Sequence, residues 1–306
     1  MLGSRCLKVE IAGLKLHNPT MLASGILGIT ASSLRQVARA GAGAVVTKSI
    51  GLRQREGYKN PTTVQVECGL INAMGLPNPG IEEFKAEIEE AKDLEVPLIV
   101  SVYGFSAEEY AKAASLAVEA GADAVELNLS CPHVEGTGTE MGQNPTAVTQ
   151  VVSEVKRNIR KPVFVKLTPN VSDIADVAVA AAEAGADALT AINTVRAMKI
   201  DIETGLTVLS NKIGGLSGAA IKPIAVRCVY EIYDVVEVPV IGCGGISTWQ
   251  DAVEFMLAGA SAVQIGTAIA YEDLGIFGLV AEGIAAYLRR KGHRSVEDIV
   301  GLSHGN

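Results

Sequence analysis

Aromatic residues are scarce, at 4% of the 306-residue chain. Proteins that bind single-stranded nucleic acid stack bases on rows of aromatic side chains, so that class of partner is not expected. Excess positive charge is also missing, and the formal net charge is −8. This argues against any polyanionic partner, although a local basic site can still hold one phosphate. No stretch reaches the ~18 uncharged apolar residues that a membrane helix needs. Met1 to Glu10 carries charges and no apolar core, so no secretory signal is expected there. Cysteine is sparse: Cys6, Cys68, Cys131, Cys228 and Cys243 are scattered, and none forms a Cys-x-x-Cys pair. Neither a zinc site nor an iron–sulfur cluster is therefore expected in this chain. A reducing, cytoplasmic compartment is the expectation.

What is present is an ordinary globular composition, 48% hydrophobic and 20% charged, with 32 glycines. Four apolar runs are introduced by a residue and a proline. They are Thr20–Ala23, Leu98–Val102, Val163–Leu167 and Val240–Gly242. Four others follow a Gly-Ala type turn: Ala44–Thr47, Ala124–Leu127, Ala188–Ile192 and Ala262–Gly266. The two kinds alternate along the chain. Proline is tolerated at a strand start, and glycine ends a helix in the left-handed conformation. Amphipathic segments such as Ala107–Glu119, Thr146–Ile159, Ser172–Ala184 and Trp249–Leu257 lie between. Short parallel strands alternating with helices predict an α/β fold, a (β/α)8 TIM barrel, as one domain over residues 1–306. An open doubly wound sheet is the rival, but no Gly-rich fingerprint follows the first strand. Gly51–Pro79, Pro132–Pro145 and Thr194–Leu216 read as long irregular loops over one mouth.

Chemistry is expected at the carboxyl ends of the strands. Asn128-Leu129-Ser130-Cys131-Pro132-His133 places an amide, a hydroxyl, a thiol and an imidazole at one such end. The thiol of Cys131 can serve as base or nucleophile, or it can be a small apolar filler. Lys48 and Lys166 end two other strands, where a buried ammonium needs an anion or another acceptor. Asn72, Asn128 and Asn193 add amides at the same mouth. Three glycine segments fall late: Gly214–Gly218, Gly242–Ile246 and Gly266-Thr267. Barrels commonly hold a phosphate on the loops after strands seven and eight, so a phosphorylated cofactor or substrate is expected.

Longer motifs then carry a resemblance. They are Ala23-Ser24-Gly25, Thr47-Lys48-Ser49, the run Gly69 to Gly80, Asn128-Leu129-Ser130-Cys131-Pro132, Lys166 to Asn170, Ile192-Asn193-Thr194, Gly215 to Gly218 and Gly244-Gly245-Ile246. Together they resemble the dihydroorotate dehydrogenase family over about residues 7 to 290. The resemblance implies an FMN-bearing barrel that oxidises dihydroorotate to orotate in pyrimidine biosynthesis. A cysteine base and no membrane-associating extension are similar to class 1. The runs from Lys166 to Asn170 and Ile192 to Gly218 are similar to the NAD-linked subgroup, class 1B. That subgroup implies a homodimer of this chain with a second subunit carrying FAD and an iron–sulfur cluster.

By resemblance, Cys131 takes the C5 proton of dihydroorotate while hydride leaves C6 for flavin N5. Lys166 is the cation near flavin N1 and O2. Ser24, Lys48, Ser49, Asn128, Lys166 and Ile192 would hold the flavin ring. Gly218, Gly244, Gly245, Gly266 and Thr267 would hold its phosphate. Lys48, Asn72, Ala73, Met74, Gly75, Leu76, Asn128, Asn193 and Thr194 would hold orotate. No metal is implied. His133 departs from the asparagine common at that place, and Ser-Cys-Pro-His is also similar to the dihydropyrimidine dehydrogenases. That family is one alternative reading. A non-catalytic barrel that binds a phosphorylated metabolite is another.

Overall fold

A computed structural model describes residues 5–129 and 141–305. Its centre is a closed parallel barrel. In chain order the barrel strands are β1 (Thr20–Leu22), β2 (Ala44–Val46), β3 (Leu98–Val102) and β4 (Ala124–Asn128). They continue as β5 (Val163–Leu167), β6 (Ala188–Ala191), β7 (Val240–Cys243) and β8 (Ala260–Ile265). Each pairs with its sequence neighbours, and β8 closes on β1. The alternation of proline and Gly-Ala introductions thus marks every barrel strand. Gly41, Gly121, Gly185 and Gly259 have φ of +101°, +121°, +101° and +118°, the positive region that ends the preceding helix.

The outer helices are α1 (Ala31–Arg39), α2 (Ile81–Glu90), α3 (Ala107–Ala120), α4 (Pro145–Asn158), α5 (Ile174–Glu183), α6 (Lys222–Tyr233), α7 (Trp249–Leu257) and α8 (Ile276–Lys291). Their starts are encoded locally. Ser106 Oγ accepts the Glu109 N–H, Asn144 precedes Pro145, and Thr248 and Asp251 form a reciprocal capping box. The helices bury Leu34, Phe84, Tyr110, Val152, Val177, Ile232, Phe255 and Ile284 against the strands. Each such side chain contributes about 1.5–3 kcal/mol from burial.

Two parts of the chain depart from the expectation. Gly51–Pro79 and Thr194–Leu216 are not simply irregular. They contribute Thr63–Val66, Gly69–Asn72, Val195–Ala197 and Gly214–Ser217 to one antiparallel sheet over the mouth. Gly215 pairs with Asn72 in it. Ile71, Ala73 and Leu209 form a small core of its own. Strands this short, joined across so much sequence, leave little periodic signal. A hairpin of Val9–Ile11 and Leu14–Leu16 precedes the barrel and packs against β8. The third segment, Pro132–Pro145, lies largely outside the described residues. Met141–Gln143 at its end is a single 3₁₀ turn.

The barrel entrance is tied by Asn18. Its Oδ1 accepts from Thr20 N at 2.9 Å and Thr20 Oγ1 at 2.7 Å, and its Nδ2 donates to Gly41 O at 2.7 Å. This joins the start of β1 to the end of α1 in a site only 5% exposed. Asn18→Ala should lower stability by about 1–3 kcal/mol, since it leaves buried polar groups unpaired. Thermal unfolding checks this, and an unchanged midpoint would show that the tie is dispensable.

Candidate active site

The strands deliver their last side chains to one cavity of about 1040 Å³. Its floor is the barrel mouth. One wall is the antiparallel sheet, which contributes Asn72, Gly215 and Ser217. Every described residue expected at the site lines this cavity: Ser24, Lys48, Ser49, Asn72 to Leu76, Asn128, Lys166, Ile192 to Thr194, Gly218, Gly244, Gly245, Gly266 and Thr267. Ser130, Cys131, Pro132 and His133 lie outside the described residues.

A chain of amides and hydroxyls crosses the mouth. Asn193 Nδ2 donates to Asn128 Oδ1 at 3.2 Å, and Asn128 Nδ2 donates to Ser49 Oγ at 3.0 Å. Ser49 Oγ also lies 3.2 Å from Ser24 Oγ and 2.9 Å from Ser101 Oγ. The Tyr110 hydroxyl donates to the Asn128 carbonyl at 2.7 Å and steadies the end of β4. Residues at the ends of β1, β2, β3, β4 and β6 are thus locked into one polar strip. Such a strip orients a planar ring carrying amide-like edges.

The two lysines differ. Lys166 is 5% exposed and donates to Gln264 Oε1 at 3.0 Å. Gln264 Nε2 donates to Glu126 Oε2 at 2.6 Å, and Thr190 Oγ1 donates to the same oxygen at 3.0 Å. Burial alone would lower the Lys166 pKa. The Glu126 carboxylate opposes that effect and favours the ammonium. Burial pushes the Cys243 thiol up. Lys48 instead has no ion pair or side-chain hydrogen bond among the described residues. Burial pushes its pKa down. It lines the cavity, and a half-buried, uncompensated ammonium there favours an anion.

The loop from Asn72 to Leu76 is braced from behind by Asn78, which is 5% exposed. Asn78 Oδ1 accepts from Gly51 N at 3.1 Å and Gly80 N at 2.9 Å. Its Nδ2 donates to Leu76 O at 2.9 Å and Tyr103 Oη at 2.7 Å. At the opposite end, Gly244 and Gly245 have φ of +133° and +77°, and Gly218 has +98°. A Cβ at Gly245 would meet the Gly218 carbonyl oxygen at 2.8 Å, so the two glycine segments touch backbone to backbone. Asp251 Oδ2 holds the next turn, accepting from Ser247 N at 3.0 Å and Thr248 N at 2.9 Å. Its Oδ1 accepts from Lys222 Nζ at 2.8 Å. Burial opposes the Asp251 charge, but Lys222 and these N–H donors keep its pKa below the ordinary value.

Sequence reasoning missed several residues at or behind the cavity. Gln143, Asn170, Arg196, Cys243 and Gln264 line it, while Glu126 and Asp251 stand behind. Asn170 Nδ2 donates to Thr194 O at 3.1 Å, and its Oδ1 accepts from Arg196 N at 2.9 Å. A signal existed for Glu126 and Gln264: each is a lone polar residue inside a run read as a buried strand. Among the described residues no group of acidic, histidine or cysteine side chains could hold a metal ion. No described helix is long and apolar enough to cross a membrane.

Comparison with known proteins places this geometry in a family. The family model described as dihydroorotate dehydrogenase matches residues 6–288. A relative from Pyrococcus abyssi is 54% identical over 297 residues, covering 97% of this chain and 99% of its own. Another, from Methanocella arvoryzae, is 52% identical over 292 residues, covering 95% and 96%. Both are named dihydroorotate dehydrogenase B (NAD(+)), catalytic subunit. A crystal structure of the enzyme from Eimeria tenella in complex with ferulenol has a TM-score of 0.85. It covers 98% of this chain and 89% of its own at 24% identity, which bears on the fold alone. The extent and identity of these matches establish that the chain belongs to the dihydroorotate dehydrogenase family.

Proposed function

We propose that this chain is the flavin-dependent catalytic subunit of an NAD-linked enzyme that oxidises dihydroorotate to orotate in the cytoplasm. The observation that carries the reading is Lys48, a half-buried ammonium without a partner among the described residues. It faces the same cavity as the Asn72–Leu76 loop and the Asn193–Asn128–Ser49 strip. Such a site suits a small ring that carries both amide edges and a carboxylate. A dihydropyrimidine lacking the carboxylate would leave Lys48 uncompensated.

The residues present fit FMN. The cavity volume exceeds what one small ring needs, and the touching glycine segments suit a phosphate at one end. Gly218, Gly244, Gly245, Gly266 and Thr267 would hold that phosphate. Ser24, Lys48, Ser49, Asn128, Lys166 and Ile192 would hold the ring. When bound, FMN would supply the hydride-accepting chemistry that oxidation at C6 of the substrate requires. Cys131 takes the C5 proton in this reading, and Lys166 supplies positive charge at the cavity floor. Asn72 to Leu76, Asn128, Asn193 and Thr194 orient the substrate.

Electrons must then leave the chain. Among the described residues there is no metal-binding cluster. The relatives' designation as a catalytic subunit supports a second polypeptide, which in this reading bears FAD and an iron–sulfur cluster. A homodimer of this chain is part of the same proposal. Ile200, Ile202 and Leu206 are exposed on one projecting segment, and Ile202 is 90% exposed, which supports a covered surface there.

The reading is tested by purifying the chain and assaying dihydroorotate with a dye, with fumarate and with NAD. The chain alone should reduce the dye and reduce NAD very slowly, and the partner should restore NAD reduction. Cys131→Ala should keep FMN and lose nearly all turnover, at least ~10²-fold. A colourless protein, or wild-type turnover by Cys131→Ala, would overturn it.

Lys48 sets a pH dependence. Its pKa is lowered, so in the free protein its charge is lost as pH rises through a value below the ordinary lysine range. Orotate affinity should fall with pH in that alkaline window, while uracil affinity stays flat. Lys48→Gln should weaken orotate by at least ~30-fold and abolish the difference. Flavin absorbance titration reads both, and equal binding of orotate and uracil by wild type would favour the dihydropyrimidine alternative.

Asp251 addresses the phosphate end. Its depressed pKa means that its contribution is full at neutral pH and is lost only as pH falls through the folded value, below the ordinary carboxylate range. Asp251→Asn should cost about 1–2 kcal/mol after allowing for partial exposure. It should also release FMN more readily on dialysis. Unchanged FMN retention would detach the Ser247–Thr248 turn from the phosphate.

A further inference from the structure

Glu126 lies inside the barrel on the same face of β4 as Asn128, one layer below the cavity floor. It does not line the cavity, and no step of the proposed reaction uses it. It is fully buried, as is Thr190, and Gln264 is 1% exposed. A carboxylate in such a place is costly beside an apolar filler of similar volume, the usual occupant of a barrel interior. Its contacts are therefore informative.

The two carboxylate oxygens are used differently. Oε2 accepts both hydrogen bonds, from Gln264 Nε2 at 2.6 Å and Thr190 Oγ1 at 3.0 Å. Oε1 has no hydrogen-bond partner among the described residues, and Lys166 Nζ lies 3.9 Å from it. The carboxylate can only accept, so the Gln264 amide must turn its nitrogen toward Glu126. Its oxygen then faces Lys166 and accepts from Nζ at 3.0 Å. The orientation of Gln264, and with it the place of the ammonium, follows from the charge on Glu126.

We propose that Glu126 is a positioning residue for Lys166, fixing the ammonium through Gln264 and offsetting part of the positive field it projects into the flavin site. The inference rests on the flavin reading above. A cation beside its opposite charge acts at a distance as a dipole, whose field falls off faster than that of a bare charge. Positive charge near the flavin pyrimidine ring stabilises the negative charge gained on reduction. Glu126 therefore holds the reduction potential down. That suits an enzyme whose electrons pass to a nicotinamide, which accepts them only from a strong reductant.

The test uses the FMN-loaded chain as wild type, Glu126→Gln, Glu126→Asp and Gln264→Glu. Flavin content after denaturation is measured first. The flavin midpoint potential and the affinity for sulfite, which adds to electron-poor flavins, are then read without substrate. Read toward the acid side, where Lys166 keeps its proton without Glu126, Glu126→Gln should shift the midpoint to more positive values and tighten sulfite binding by about tenfold or more. Glu126→Asp should stay near wild type. Gln264→Glu, which sets a second carboxylate against Lys166, should shift both readouts the other way. It carries the test alone if Glu126→Gln does not fold. Flavin-loaded variants with wild-type potential and sulfite affinity, or a negative shift in Glu126→Gln, would overturn the proposal. Wild-type chain without flavin would instead overturn the functional reading, an outcome distinguished by flavin content alone.

Discussion

Keeping two ammonium groups out of water at one barrel mouth is the constraint on which the site depends. A buried cation is tolerated only where another group meets it. Lys166 is met from below by Gln264, with Glu126 behind. Lys48 is met by no charged group among the described residues. One lysine is compensated internally, and in the proposed reading the other is left for a ligand. In that reading the asymmetry marks a site built to bind an anion rather than a purely structural ion-pair network. It also assigns different work to the two residues. In the proposed reading Lys166 acts as fixed charge in the floor, and Lys48 is a charge whose environment changes when the cavity fills.

The barrel was legible because its punctuation is backbone chemistry. Proline before β1, β3, β5 and β7 and glycine turns before β2, β4, β6 and β8 report geometry that few other residues satisfy. Trp249–Leu257 matches its expected bounds for the same reason, since Thr248 and Asp251 cap it within one turn. The antiparallel sheet over the mouth was not legible. Its pairing of Asn72 with Gly215 joins distant segments, and Gly214-Gly215 offers no side chains to alternate. Individual site residues stood out where they end strands. Their grouping into flavin and orotate sets came from resemblance to a family.

The residues behind the cavity were hidden for a different reason. Glu126 and Gln264 each interrupt an apolar run, and either one alone reads as a strand residue. Only closure of the barrel brings β4, β5 and β8 close enough for one polar network. Asp251 and Asn78 are similar. Each looks like an ordinary cap or turn former, yet Asn78 also joins Leu76 to Gly51 and Tyr103, and Asp251 also joins the Ser247–Thr248 turn to Lys222. Their distant partners, Gly51, Tyr103 and Lys222, are what local pattern does not report.

The architecture also separates what must be rigid from what must be particular to one ligand. The floor is made of strand ends tied to both neighbours, and its polar strip crosses the barrel through Asn193, Asn128 and Ser49. Groups there are held to the precision that redox and proton chemistry demand. The wall is a small sheet with its own minor core, Ile71, Ala73 and Leu209, attached through loops braced by Asn78 and Asn170. Its registration against the floor depends on a few hydrogen bonds rather than on the main core. Substitutions in that brace would disturb ligand choice while leaving the charged floor intact. Substitutions at Glu126 or Gln264 would alter the floor while leaving the wall in place. In the proposed reading, electronic tuning and substrate recognition are thus carried by separate parts of one fold, which meet at Lys48.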